Sequence, residues 1–153
     1  MNFQFMVYNS TFRRIREGKT NYRKREKLLM GRKDFVTVNV TNQNVTAQLI
    51  RPNLQGDMVM ASVHSNELLS FGWKGSRKNI PSCYLVGLLL GKRCLKKKLS
   101  SAILYIGKRH FTTKIGACLK GLAEAGLELP FPENIIPPEE RIQGSHIAEY
   151  ANN

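Results

Sequence analysis

Arg13-Arg14-Ile15-Arg16-Glu17-Gly18-Lys19, followed by Tyr22-Arg23-Lys24-Arg25, interleaves guanidinium groups with an aromatic ring. A guanidinium can grip a phosphate through two parallel hydrogen bonds or lie flat on a base. A tyrosine can stack on an unpaired base, typically for ~1–3 kcal/mol. A run of charge on its own is more simply a solvated helix face. The density of this run, on a stretch with no apolar period to bury it, points instead to nucleic acid. RNA is favoured over DNA because no helix reads as a major-groove reader.

A second constellation is Phe71-Gly72-Trp73-Lys74-Gly75-Ser76-Arg77-Lys78-Asn79. Trp73 sits between glycines in a basic loop, where it is either a core plug or a stacking platform. His64 and Ser65 precede that loop and are either turn residues or donors to phosphate and ribose 2′-OH groups. His110, next to Lys108 and Arg109, makes a weaker basic loop.

Catalysis finds little support. His64, His110 and His146 fall on different elements with no carboxylate at close spacing. A two-metal nuclease needs several carboxylates at strand ends, yet residues 34–123 hold only Asp34, Asp57 and Glu67. Asp34 and Asp57 flank strands, so a metal pair is conceivable, but turn formation explains both. Gly72-Trp73-Lys74-Gly75 lacks the strand–loop–helix spacing of a phosphate-binding loop. No cofactor is implied. Cys83, Cys94 and Cys118 show no C-x-x-C spacing, and the first two lie roughly 16 Å apart along one helix, so buried thiols are expected rather than a bridge or a zinc site.

The bulk charge agrees. The 153 residues carry a net +13, with Lys and Arg at 24 against 11 acids. That excess speaks of a polyanionic partner, not of a fold. It is uneven, because the last thirty residues hold Arg141 against six Glu. The acidic tail should face away from the polyanion or pack back on a basic surface. The longest apolar run, Tyr84–Leu90, is far short of the roughly 18 residues a membrane span needs. The opening Met1–Tyr8 has no preceding positive stretch, unlike a secretory signal. A cytoplasmic protein that does not use a membrane is expected; a membrane-surface role would need an apolar face that the arm lacks.

Elements must hold these groups in place. Residues 9–19 read as an extended arm. Thr20 can cap a short helix through Met30, with Gly31 as a left-handed stop. Phe35–Val40, Val45–Ile50 and Asp57–Val63 alternate as strands, with short links that imply an antiparallel meander. Asn79-Ile80-Pro81 opens a long helix to about Lys98, with Tyr84, Leu85, Leu88, Leu89, Leu95 and Leu99 as its apolar stripe. Residues 101–106 read as a strand covered on both faces, and 113–125 as a helix closed by Gly126. Four prolines then stiffen a connection to a tail helix from about Glu139. The expected fold class is α/β. It has a mixed sheet, with an antiparallel three-strand meander and then α-β-α, a basic N-terminal arm and a C-terminal tail helix. The expected organisation is an arm with a short helix over 1–33, an α/β RNA-binding domain over 34–129, and a Pro-rich connection with an acidic tail over 130–153.

Five ordered motifs add a resemblance. Arg13 to Tyr22, Ala61-Ser62-Val63-His64-Ser65, Phe71-Gly72-Trp73-Lys74-Gly75, Asn79-Ile80-Pro81 and Gly144-Ser145-His146-Ile147-Ala148-Glu149-Tyr150 together resemble the archaeal-type large-subunit ribosomal protein family "L-eighteen", over residues 12 to 150. The resemblance implies a structural RNA binder that is not an enzyme. It implies an α/β domain gripping 5S ribosomal RNA, with contacts to the large-subunit ribosomal RNA and to the neighbouring 5S-binding protein "L-five" in the central protuberance. Carried over, Arg13, Arg14, Arg16, Lys19, Tyr22, Arg23 and Arg25 fit the RNA-gripping arm, and His64, Ser65, Trp73, Lys74 and Asn79 the loop surface. Lys24, Arg77 and Lys78 join them on charge and position alone. Where relatives carry basic residues at the first hairpin turn, this chain has Asn39-Val40-Thr41-Asn42-Gln43-Asn44, so contact there would rest on amides. Tyr105 stands where relatives tend to have an acid.

Overall fold

Alternation of side chains writes the first hairpin. Val36 and Val38 turn one way and Thr37 and Asn39 the other, and the same period runs through Val45, Ala47 and Leu49. In the computed structural model, which describes residues 10–152, these stretches are β1 (Asp34–Val40) and β2 (Val45–Arg51), paired antiparallel with Val38 opposite Ala47. The turn is closed by the Thr41 N–H donating to the Asn44 carbonyl at 2.8 Å. The third strand, β3 (Met58–His64), pairs antiparallel with β2, with a register irregularity at Leu49 and Ile50. The fourth, β4 (Ala102–Leu104), lies parallel to β1, giving the order β3-β2-β1-β4. The expected mixed sheet and antiparallel meander are therefore what forms.

The other elements are α1 (Arg13–Arg16), α2 (Tyr22–Met30), a 3-10 helix over Ser65–Phe71, α3 (Ile80–Lys96), α4 (Thr113–Glu124), a short 3-10 turn over Glu133–Ile135, α5 (Glu139–Gln143) and α6 (Ser145–Asn152). The parallel pairing of β4 requires the chain to cross the sheet after β3, and α3 makes that crossing. Asn79 caps α3, its side-chain oxygen accepting from the Ser82 N–H at 2.9 Å, with Pro81 in the first turn. Between the sheet and α3 with α4 lies one apolar core, which includes Val36, Val38, Val45, Leu49, Val63, Val86, Leu90, Leu119 and Leu122.

The face that α3 buries differs from the expected one. Cys83, Val86, Gly87, Leu90, Gly91 and Cys94 are buried, whereas Leu85, Leu88 and Leu89 are half-buried and Leu95 is exposed. The reason is distance. A Cβ added at Gly87 would lie 2.1 Å from the Cys118 carbonyl oxygen, and one at Gly121 2.3 Å from that of Tyr84. Only small residues allow α3 and α4 to approach this closely, so size and not hydrophobicity selects the inner face.

Three expectations at the N-terminal end change. Residues 13–16 are a helical turn instead of part of an extended arm, because local bonds close the segment: Glu17 N–H to Arg13 carbonyl at 2.9 Å and Lys19 N–H to Arg14 carbonyl at 2.9 Å. Asn21, not Thr20, caps α2 by accepting from the Lys24 N–H, while Thr20 is buried with its hydroxyl accepting from Arg14 Nε at 2.9 Å. Gly31 stays right-handed at φ −72°, and the left-handed residue is Arg32 at φ 48°. The reading of residues 1–9 lies outside the described residues. The strand expected over 101–106 is shorter and sits at a sheet edge, with Ala102 buried and Ile103 and Leu104 half-buried. The acidic tail does pack back: Ile142 of α5 is buried, and Lys120 of α4 lies 4.0 Å from Glu139.

All three cysteines are free and buried. Burial pushes the Cys94 thiol up to about 11 and that of Cys83 up to about 12, and it raises Cys118 as well. Thiolate is the reactive form. A thiol reagent at about pH 8 is therefore expected to label three groups only as fast as the protein unfolds; rapid labelling of the native protein would contradict this packing.

Candidate nucleic-acid interface

The sheet has a second face, and it is polar. Thr37 and Asn39 of β1 lie opposite Gln48 and Thr46 of β2, and Ser62 and His64 of β3 continue the row. An antiparallel sheet with helices on one side leaves the other to water or a ligand. Here that face is walled in. The arm and α2 stand on one side and the loop after β4 on the other, enclosing a cleft of about 850 Å³. Its lining includes Arg14, Lys19, Tyr22 and Arg25 from the arm, Thr37, Asn39 and Gln48 from the sheet, and Tyr105, Lys108 and Arg109 from the far loop. Arg109 is held by Asn39, whose side-chain oxygen accepts from Nη1 at 2.5 Å.

The arm's cations divide into engaged and available groups. Arg13 Nε and Lys19 Nζ both reach Glu17, at 2.5 and 2.6 Å, and together they hold its carboxyl below the usual range. Arg14 braces Thr20. Arg25 is half-buried: it pairs with Asp57 at 2.5 Å, and its guanidinium lies 5.7 Å from the Tyr105 ring centroid and 6.0 Å from that of Phe35. It therefore fastens α2 to the sheet over Phe35, which is 1% exposed. Arg16, Arg23 and Lys24 are exposed, and among the described residues no carboxylate lies within 4 Å of them. Tyr22 is also exposed, with Phe12 5.7 Å away, centroid to centroid.

The second constellation gathers at the hairpin turn. Asn42 and Gln43 line a cleft of about 500 Å³ with Lys74, Gly75, Ser76, Arg77 and Lys78. The Asn-rich turn thus faces the basic loop, a proximity that only folding creates. Trp73 is half-buried against the core, with Nε1 donating to the Ser76 carbonyl at 3.2 Å, so it plugs the loop from beneath. Arg77 donates to Asn66 at 2.9 Å. Lys74 and Lys78 are exposed. Asn79 is engaged as the α3 cap. Ser65 has no exposed surface; its hydroxyl accepts from the Val45 N–H at 3.1 Å and lies 3.2 Å from Asn44 Oδ1, which ties the hairpin to the 3-10 helix.

His64 is placed by its neighbours. Its Nδ1 accepts from the Asn66 N–H at 3.1 Å, and its own N–H donates to Glu67 at 2.9 Å. Glu67 also pairs with Arg93 of α3, which donates to the Ser62 carbonyl at 2.6 Å. The hydrogen bond from Arg93 chiefly holds the Glu67 carboxyl below its ordinary 4.5; burial opposes this and the His64 N–H adds to it. A depressed carboxyl stabilises the fold above its unfolded pKa and loses that contribution as pH falls through the folded value. Glu67→Gln is therefore expected to lower stability at neutral pH, with the gap to wild type closing below about pH 4.5 in urea titrations. A gap that persists in acid would remove the ion pair as its cause.

The arrangement offers little to a metal. Asp34 and Asp57, the acids a nuclease would need, are each taken by an arginine: Asp34 by Arg51 in two 2.9 Å bonds, Asp57 by Arg25. No group of three or more His, Cys, Asp or Glu among the described residues could hold an ion. No helix among them is long and apolar enough to cross a membrane. Sequence reading missed Thr37 and Gln48. The available signal for both was the polar half of the strand alternation, which was read only for its apolar half.

A four-stranded α/β domain, with helices on one face and an arm of cations over a polar opposite face, defines a class of protein built to lie against a polyanion. The family described as "Ribosomal large subunit proteins 60S L5, and 50S L18" matches residues 6–115. Relatives named large ribosomal subunit protein uL18 are 41% identical in Thermofilum pendens, 44% in Methanothermobacter thermautotrophicus and 43% in Methanospirillum hungatei. Each alignment takes in 94% of this chain and 74%, 76% and 83% of the respective relative. The chain belongs to this ribosomal protein family, whose members are structural, non-enzymatic components of the large subunit.

Proposed function

We propose that this protein binds 5S ribosomal RNA and attaches it to the large-subunit ribosomal RNA in the central protuberance, beside the 5S-binding protein "L-five", in the cytoplasmic large subunit. The observation that carries the reading is the walled polar face of the sheet with cations on both sides of it. Its rim presents phosphate-binding charge and its floor presents neutral hydrogen-bonding groups, the division that RNA recognition uses. The proposed contact residues are Arg13, Arg14, Arg16, Lys19, Tyr22, Arg23, Lys24 and Arg25 on the arm, and His64, Lys74, Arg77 and Lys78 at the hairpin turn. Arg25, Ser65, Trp73 and Asn79 also serve by holding those elements in place. The proposed units are the arm over 1–33, the RNA-binding domain over 34–129 and the connection with its acidic tail over 130–153.

Filter binding of the full chain to 5S RNA, against an unrelated RNA of equal length, tests the reading. Preference for 5S RNA should persist as salt is raised, because the charge contribution is common to both RNAs. Equal affinities at every salt concentration would defeat the assignment.

A further inference from the structure

We propose that the cleft over the sheet takes one unstacked nucleotide, reading its base edge with the Gln48 and Thr37 side chains. The inference rests on the RNA-binding reading and goes further, since a rim of cations alone needs only phosphates. Thr37 and Gln48 are direct cross-strand partners, so their side chains stand side by side on the polar face. Both are half-buried, and among the described residues neither side chain makes a hydrogen bond within the protein. No buried side-chain nitrogen or oxygen among the described residues lacks a partner. The free polar atoms of these two residues therefore open into the cleft.

Chemistry favours a base over a phosphate at this depth. A glutamine amide offers one acceptor and two donors in a plane, and a threonine hydroxyl offers either role. That pattern matches the edge of a base, whereas a phosphate asks for donors and positive charge. Two cations of the same cleft are already engaged, Arg109 by Asn39 on the floor and Arg25 by Asp57. Tyr22 and Tyr105 line the same cleft and supply apolar wall. A volume of about 850 Å³ suits a nucleotide-sized ligand with bound water. Unpaired bases splayed from loops and bulges are what sequence-specific RNA proteins bind, through such edges and rings.

The test uses the full chain with a 5S RNA transcript. Bound RNA is probed with dimethyl sulfate and a carbodiimide, which together report the pairing edges of all four bases. Wild-type protein is expected to protect one base that is unpaired in the free transcript. Gln48→Leu should return that base to full reactivity and weaken binding about tenfold, the scale of a lost bidentate base contact. Its salt dependence should be unchanged, because no charge is removed. Thr37→Val should act in the same direction, and both variants should keep the wild-type melting temperature. The proposal is overturned if both variants keep wild-type affinity and footprint while loss of Arg16, Arg23 and Lys24 still weakens binding; the cleft then holds only backbone and the RNA-binding reading stands. Failure of the wild-type chain to prefer 5S RNA would remove both readings together.

Discussion

Gly87→Ala is expected to destabilise the core strongly. Its new methyl would sit 2.1 Å from the Cys118 carbonyl oxygen and 2.9 Å from that residue's carbonyl carbon. The obstacle is backbone, so no side-chain rotation relieves it. Either α3 and α4 move apart, which loosens Val86, Leu90, Leu119 and Leu122, or the helices bend. Overpacking costs typically 1–3 kcal/mol, and a clash with rigid main chain belongs at or above about 3. For a chain near 150 residues, that lowers the melting temperature by roughly 6–12 °C. Gly121→Ala, which meets the Tyr84 carbonyl at 2.3 Å, should behave alike. The double variant should be less bad than the sum, because one separation of the helices relieves both contacts. Circular dichroism melts decide the matter, and a Gly87→Ala melt within about 2 °C of wild type would show that the helices are not seated as described.

The second large effect is on RNA. Replacing Arg16, Arg23 and Lys24 together with alanine should weaken 5S RNA binding about a thousandfold, taking about 1.5 kcal/mol for each charge-assisted contact. These three were chosen because they are exposed and have no acid within 4 Å among the described residues, so their removal leaves the fold alone. If the arm and rim together neutralise ~6 phosphates, wild-type affinity falls on the order of a thousandfold between 50 and 200 mM salt. The triple variant should lose roughly half of that slope. Arg25→Ala should read differently. It breaks the tie to Asp57 and uncovers Phe35, so it should lower the melting temperature, which the triple variant leaves unchanged, besides weakening RNA binding. A triple variant with the wild-type slope would mean that these side chains point at solvent in the complex.

Much of this was legible from residue order. The meander was visible because a period of two over Val36, Val38, Val45, Ala47 and Leu49 admits no other element. The start of α3 was legible in Asn79 and Pro81, whose cap and missing N–H are local chemistry. The inner face of α3 was not. Apolar stripes are counted by hydrophobicity, whereas here Gly87 and Gly91 face inward because another helix passes within touching distance. The arm's helical turn was missed for a related reason: its stability comes from local bonds such as Glu17 N–H to the Arg13 carbonyl, and not from an apolar period.

Type and charge in the linear chain determined that this protein is an α/β domain with an excess of cations at its front, and hence what kind of partner it wants. Propensity, alternation and caps act over a few residues, and charge is summed without regard to position. Which cations remain free, which amides share a cleft and which helix face turns inward were decided only in three dimensions. Asp57 reaches Arg25, and Gln48 meets Thr37, through contacts whose distances no spacing along the chain encodes.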